Sequence, residues 1–145
     1  MAADPDRLQG DGLLNALSVE QTWHFEGVLS DVTDAREGAG VFLRGLERMQ
    51  RPASPDAHHD VQLVVAELAS NAFAFAPGPF SLRLRAVADT VQVALSDTNP
   101  AAPQPRPLDL AGRGGIGWHL IETVAEQTII SPEAVGKTVH VFVPW

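Results

Sequence analysis

The stretch FSLRLRAVADTVQVALS, residues 80–96, contains two segments in which apolar and polar side chains alternate. Alternation with a period of two predicts strands, here residues 80–87 and 91–96. The three residues between them are a short turn, so the two strands form a hairpin, the unit of an antiparallel sheet. The apolar side chains predicted to share the buried face of this hairpin are Leu82, Leu84, Val87, Val91, Val93 and Leu95.

A first strand begins at Thr22. Between this strand and the hairpin, apolar residues recur at helical spacing. One helix runs to Met49 and has Ser30, Asp31 and Thr33 as candidate N-caps. A second helix spans about residues 56–76 and stops at the Pro-Gly-Pro of residues 77–79. The predicted buried stripes are Ala35, Ala39, Phe42, Leu43, Leu46 and Met49 in the first helix, and Val61, Val64, Leu68, Ala72 and Phe75 in the second.

Beyond the hairpin, residues 98–111 contain four prolines, which exclude a regular element there. A helix over residues 118–127 and strands over 128–131 and 138–143 follow. Hairpins outnumber crossovers in this order, which predicts an α+β fold: a two-layer sandwich with a mixed, mostly antiparallel sheet and helices on one face. We expect residues 1–20 to be a flexible arm and residues 21–145 to be one domain.

The composition of the 145 residues excludes several classes of protein. Eighteen acidic against ten basic residues give a formal net charge of −8, which argues against nucleic-acid and anionic-membrane binding and favours a basic protein partner. The absence of cysteine excludes disulfides and thiolate chemistry. Neither a membrane-length apolar run nor a signal-peptide pattern occurs, so we expect a cytoplasmic protein.

Two stretches match phosphate-binding motifs in sequence, but the elements that flank them do not match. GRGGIG, residues 112–117, fits the dinucleotide fingerprint, but a proline-rich stretch precedes it where the motif needs a strand. SPEAVGKT, residues 131–138, lacks the first glycine of a P-loop, and a strand follows it where the motif needs a helix. Both motifs are therefore rejected.

Three features could carry chemistry. Glu67 and Asn71 share one helix face, either as a solvated polar seam or as a carboxylate base beside a carboxamide ligand for Mg²⁺. Asp97 ends a strand, either as a turn former or as an acceptor for an exocyclic amine. The glycine run of residues 112–117 is either a flexible lid or a phosphate seat at a helix N-terminus.

In order and spacing, these residues resemble the GHKL nucleotide-binding superfamily, and more closely the small bacterial anti-sigma-factor serine/threonine kinases. VVAELASNA (64–72) resembles the N-box, and VALSDTNP (93–100) resembles the first adenine-side box. GRGGIGWHLI (112–121) resembles the glycine box behind the ATP lid, and GKT (136–138) resembles the closing Gly-x-Thr element. The resemblance covers residues 23–144 and implies the Bergerat-type ATP-binding fold.

The resemblance implies a role for each matching residue. Glu67 would accept the proton of a serine or threonine hydroxyl, and Asn71 would ligate Mg²⁺. Asp97 would bind the adenine amine with support from Thr138, directly or through water. The full implied nucleotide-binding set is Asn71, Asp97, Gly112, Arg113, Gly114, Gly115, Gly117 and Thr138.

The implied reaction is transfer of the ATP γ-phosphoryl group to a STAS-domain anti-anti-sigma protein, with a sigma factor as the competing partner. Members of this family are often homodimers, and neither nucleic acid nor a membrane is an implied partner. Two positions depart from the family pattern: residues 73–76 lack its basic and histidine positions, and Asn99 stands where glycine is common. The alternative is therefore a module of the same fold that sequesters partners and has weak or no catalytic activity.

Overall fold

A computed structural model describes residues 18–98 and 116–145. The predicted arm lies outside these residues except for its last three, which belong to the first strand. In chain order the elements are β1 (Ser18–Phe25), α1 (Ser30–Met49), α2 (Ala57–Phe75), β2 (Phe80–Val87), β3 (Thr90–Asp97), α3 (Ile116–Val124), β4 (Gln127–Pro132) and β5 (Lys137–Pro144).

The strands form one sheet in the order β1-β2-β3-β5-β4. All four pairings among the described strands are antiparallel, so the sheet is wholly antiparallel where a mixed one was predicted. Helix α1 packs on β1 and β2, α2 packs on β3 and β5, and α3 packs on β5. The predicted α+β sandwich is confirmed.

The central hairpin turns at residues 88–89, one residue shorter than predicted because Thr90 belongs to β3, and its buried face has one change. Leu82 lies opposite Leu95 and Leu84 opposite Val93, as expected. Ala86, however, lies opposite Val91, and Val87 points to the other side of the sheet. The reason is the strict period of two in a strand, which places Val87 on the face opposite Leu82 and Leu84.

The helices bury their predicted stripes except at their last residues. Met49 ends α1 and is 63% exposed, and Phe75 ends α2 and is 45% exposed. Both were predicted to be buried. The rest of each predicted stripe belongs to the hydrophobic core. No helix in residues 18–98 and 116–145 is long and apolar enough to cross a membrane.

The start of α1 differs from the predicted cap. Leu29 holds the N-cap position, and no side chain caps the helix. Instead, Asp31 Oδ2 accepts hydrogen bonds from the backbone N–H groups of Gly27 and Val28, each at 2.9 Å. The buried Asp31 carboxylate therefore stabilises the turn between β1 and α1.

Candidate functional site

Glu67 and Asn71 lie one turn apart on α2, beside the stripe that packs into the core. Both side chains are partly buried, so the seam is not a fully solvated surface. Among the described residues, the Asn71 carboxamide makes no hydrogen bond. A carboxamide oxygen is the type of hard ligand that Mg²⁺ prefers, and the Asn71 oxygen has no competing hydrogen bond there. It lies on the same helix face as the Glu67 carboxylate.

The Glu67 carboxylate lies directly against the backbone of Gly117, in the first turn of α3. A Cβ atom at Gly117 would overlap Glu67 Oε2, so only glycine permits this approach. The first N–H groups of a helix have no intrahelical partner, and this end of α3 therefore attracts negative charge. The structure thus brings together Glu67 and Gly117, two predicted site residues 50 positions apart in the chain.

Burial raises the pKa of Glu67 above the usual value for a glutamate. Desolvation is the cause, because a low-dielectric environment disfavours the ionised form. A raised pKa makes a carboxylate a stronger base. Its position at a helix N-terminus and its raised pKa are the properties that a general base beside a phosphate-binding loop requires.

Asp97 ends β3 on the side of the sheet that faces the helices, and its carboxylate is almost completely buried. Lys137 lies directly opposite it at the start of β5. Lys137 Nζ donates a hydrogen bond to Asp97 Oδ2 at 2.8 Å, with the two side chains only 7% and 5% exposed. The residue predicted to bind an adenine amine therefore already accepts a bond from a buried ammonium group.

Lys137 belongs to the GKT element but was not among the predicted site residues. The sequence pattern of β5 could have indicated the burial of Lys137. Lys137 lies at the start of a series of every second residue, whose other members are the buried Val139, Val141 and Val143. A period of two puts all four side chains on the helix-facing side of the sheet. A lysine on the buried face of a strand requires a hydrogen-bonding or oppositely charged partner, and Asp97 supplies one.

Thr138 was predicted to support Asp97, but its side chain points to the opposite face of the sheet. Its hydroxyl is 2.7 Å from Ser96 Oγ, its cross-strand neighbour, and 2.7 Å from Glu133 Oε1, to which it donates. The hydroxyl therefore belongs to a separate polar cluster with Ser96 and Glu133. In this structure the Thr138 hydroxyl therefore makes no direct hydrogen bond to Asp97.

Gly136 contributes to the site through its backbone. It has φ +91°, a left-handed conformation that glycine adopts without strain. A Cβ at this position would overlap the carbonyl oxygen of Asp97. Gly136 therefore lets the β4–β5 turn approach the end of β3 closely enough to align Lys137 with Asp97.

The remaining predicted site residues are Gly112, Arg113, Gly114 and Gly115, which lie outside the described residues. Within residues 18–98 and 116–145, no group of three histidine or acidic side chains could hold a metal ion. Mg²⁺ would therefore depend on Asn71 together with ligands from a bound molecule.

Comparison with known proteins identifies a family for this chain. A family model described as the histidine kinase-like ATPase domain matches residues 29–142. No curated protein matches the chain in sequence. Among solved structures, the chain is similar to the histidine kinase domain of the blue-light-activated histidine kinase from Erythrobacter litoralis EL346, with 14% identity and a TM-score of 0.44.

That alignment covers 76% of this chain and 60% of the other, so the chain spans less than two thirds of the length of its structural neighbour. The family match covers most of the chain and includes Glu67, Asn71, Asp97 and Lys137. Members of this family are ATP-binding domains. The chain belongs to the histidine kinase-like ATPase family, within the GHKL superfamily of ATP-binding proteins.

Proposed function

We propose that this chain is a cytoplasmic, ATP-dependent serine/threonine protein kinase that acts as an anti-sigma regulatory factor. It would transfer the ATP γ-phosphoryl group to a STAS-domain anti-anti-sigma protein and sequester a sigma factor. The observation that carries the proposal is the contact between the Glu67 carboxylate and the Gly117 backbone. It places a carboxylate of raised pKa at the N-terminus of the helix that follows the glycine run.

In this proposal Glu67 accepts the proton of the acceptor hydroxyl while the phosphoryl group is transferred. Such reactions depend on positioning and charge neutralisation, with the base orienting the nucleophile. Because the Glu67 carboxylate already lies against the Gly117 backbone, the base is positioned at the start of α3 before the acceptor arrives.

The residues present fit a magnesium ion, which Asn71 would hold through its carboxamide oxygen. The ion supplies neutralisation of phosphate charge when bound. A single protein ligand is sufficient, because Mg²⁺ usually keeps several waters and takes its remaining ligands from substrate phosphates. Arg113 and the glycines of residues 112–117 complete the proposed phosphate contacts.

The Asp97–Lys137 pair favours a second candidate function, a partner-sequestering module with weak nucleotide binding. The amine of adenine would have to share a carboxylate that a buried ammonium already engages at 2.8 Å. Residues 73–76 support the same alternative, since Phe73 and Phe75 are exposed where the family often has polar groups. The intact Glu67 and Asn71 favour the kinase.

Two measurements separate the candidates. The first is calorimetric titration of ATP–Mg²⁺ into the native protein and an Asp97→Ala variant, with thermal melting to verify that the variant is folded. The second is transfer of radiolabelled phosphate from ATP to purified STAS-domain proteins by the native protein and a Glu67→Gln variant. Glu37→Gln is the matched control, because Glu37 is exposed on α1, away from the site.

The kinase proposal expects ATP binding that Asp97→Ala abolishes, and transfer that Glu67→Gln reduces by about 10²–10⁴-fold. Glu37→Gln should transfer at the native rate. Transfer at full rate by the Glu67→Gln variant would show that another group is the base. Failure of ATP to bind the native protein would instead favour the sequestering module.

A further inference from the structure

The buried ion pair between Asp97 and Lys137 points to a role for the lysine in adenine recognition. We propose that Lys137 is a positioning residue, which keeps the Asp97 carboxylate ionised and oriented to accept a hydrogen bond from the exocyclic amine of adenine. This inference rests on the proposed nucleotide site, in which Asp97 meets the edge of the base. It goes further by assigning a role to Lys137, which the proposed function does not use.

The first step of the argument is the charge of Asp97. Its side chain is only 5% exposed, and a carboxylate removed from water without a cation is strongly unfavourable. Lys137 Nζ supplies that cation, because it donates a hydrogen bond to Asp97 Oδ2 at 2.8 Å. An ionised carboxylate only accepts hydrogen bonds, whereas a protonated acid also donates one. The amine of adenine is a donor, so it matches the ionised form that the pair maintains.

The second step is the orientation of the carboxylate. The last torsion of an aspartate side chain has broad minima, so a carboxylate without a fixed partner is poorly oriented. The bond from Lys137 at Oδ2 fixes its plane. A carboxylate has two oxygens with about four acceptor positions, so one bond does not exhaust it. The ammonium of Lys137 and the amine of adenine are therefore able to share Asp97.

The third step is rigidity. Asp97 and Lys137 are direct partners in the β3–β5 ladder, and the backbone of Gly136 packs against the carbonyl of Asp97. Both charged groups are therefore anchored by main-chain structure rather than by a loop. A binding group that is ordered before the ligand arrives loses less entropy on binding, which increases affinity.

The test is calorimetric titration of ATP and of purine riboside triphosphate, each with Mg²⁺, into the native chain and its variants. Purine riboside lacks only the exocyclic amine of adenine, so the ratio of the two dissociation constants measures the bond to Asp97. Asp97→Ala removes the acceptor, and Lys137→Met keeps the length of the side chain but cannot donate. Arg83→Met is the matched control, because it removes a positive charge from an exposed position on the opposite face of the sheet.

We expect the native protein and Arg83→Met to bind ATP about 10- to 100-fold more tightly than purine riboside triphosphate, the effect of one hydrogen bond to a charged group. In Asp97→Ala and Lys137→Met, the two nucleotides should bind with nearly equal affinity. A purely structural role of Lys137 would weaken both nucleotides equally and leave their ratio unchanged. A native ratio in a Lys137→Met variant that thermal melting shows to be folded would therefore overturn the proposal.

Two further readouts keep the test decisive if Lys137→Met does not fold. Lys137→Gln retains a neutral N–H donor, and we expect its ratio to lie between those of the native protein and Asp97→Ala. A native ratio in Lys137→Gln would overturn the role of the charge. The native chain alone is the second readout. Equal affinities for the two nucleotides would show that Asp97 does not accept the amine while Lys137 is bonded to it.

The outcomes distinguish this inference from the function on which it rests. The expected ratios without phosphate transfer to any STAS-domain protein would overturn the kinase proposal and support the role of Lys137. A native ratio in Lys137→Met together with active transfer would overturn the role of Lys137 alone. If neither nucleotide binds the native protein, the nucleotide site and the role of Lys137 both fail.

Discussion

Lys137 Nζ lies 2.8 Å from Asp97 Oδ2, and the two residues face each other across the β3–β5 ladder with almost no solvent exposure. Two opposite charges at this distance stabilise each other in the interior, and the loss of either one destabilises the folded protein. The pair links the last residue of β3 to the first residue of β5, at the end of the sheet where the proposed site lies. It therefore matters for the stability of this end of the sheet.

Removal of one member of this pair should strongly destabilise the fold. We expect Asp97→Ala or Lys137→Met to lower the free energy of unfolding by about 3–5 kcal/mol, because each removes one member of a buried, hydrogen-bonded ion pair. Asp97→Asn with Lys137→Met should lose less than the sum of the two single substitutions. Denaturant unfolding of the native, single and double variants measures this coupling. Additive losses would show that the two side chains do not interact energetically.

Gly117→Ala should impair phosphotransfer through Glu67. The added methyl group overlaps Glu67 Oε2 and must displace the carboxylate or the first turn of α3. A shift of about 1 Å in a catalytic group reduces rates by up to about 100-fold. We therefore expect a large loss of transfer to the acceptor protein in a variant that remains folded, measured with radiolabelled ATP. Native rates in this variant would contradict the close contact.

Gly45→Ala on α1 is the matched control for that substitution. A Cβ atom at Gly45 would meet nothing within 4 Å. Alanine in a helix interior is more stable than glycine by about 0.5–1 kcal/mol, so this variant should melt at a higher temperature with unchanged transfer. A loss of activity in Gly45→Ala would mean that α1 contributes to the reaction.

The difference in stability between the Glu67→Gln variant and the native protein should depend on pH in a defined direction. Burial raises the pKa of Glu67, so the folded protein holds this proton more tightly than the unfolded chain does. The favourable contribution of the protonated acid is present below the unfolded pKa and is lost as pH rises through the folded pKa. Glutamine imitates the protonated acid at every pH.

We therefore expect Glu67→Gln to be at least as stable as the native protein at neutral pH, with the difference disappearing near about pH 4. Thermal melts at both pH values measure it, and Glu37→Gln, at an exposed position, should show no such dependence. A Glu67→Gln variant that is less stable than the native protein at neutral pH would show that the ionised carboxylate stabilises the fold.

Gly136→Ala should destabilise the end of the sheet. Its φ of +91° is unfavourable for alanine, and the added Cβ would overlap the carbonyl oxygen of Asp97. We expect a loss of about 1–3 kcal/mol in the free energy of unfolding, measured by denaturant titration. Native stability in this variant would indicate that the turn relaxes without moving β5.

The elements of the fold could be predicted from the sequence because each depends on local periodicity. The hairpin of β2 and β3 follows from alternation, and the spacing of Glu67 and Asn71 follows from the helical repeat. The ends of the helices were less predictable. Met49 and Phe75 continue their apolar stripes in sequence, yet both are exposed, because burial also depends on which neighbours cover the last turn.

The sequence by itself determined the order of strands and helices, the polar pair on α2 and the resemblance to an ATP-binding family. Only the tertiary structure decided which side chain meets Asp97. Thr138 was expected to support Asp97, directly or through water, and Lys137 is the side chain that bonds to it in the structure. Strands β3 and β5 are distant in the chain, and a shift of one residue in their register exchanges the two faces of the sheet. The same non-local packing brings Glu67 against Gly117, a contact that no periodicity in the sequence encodes.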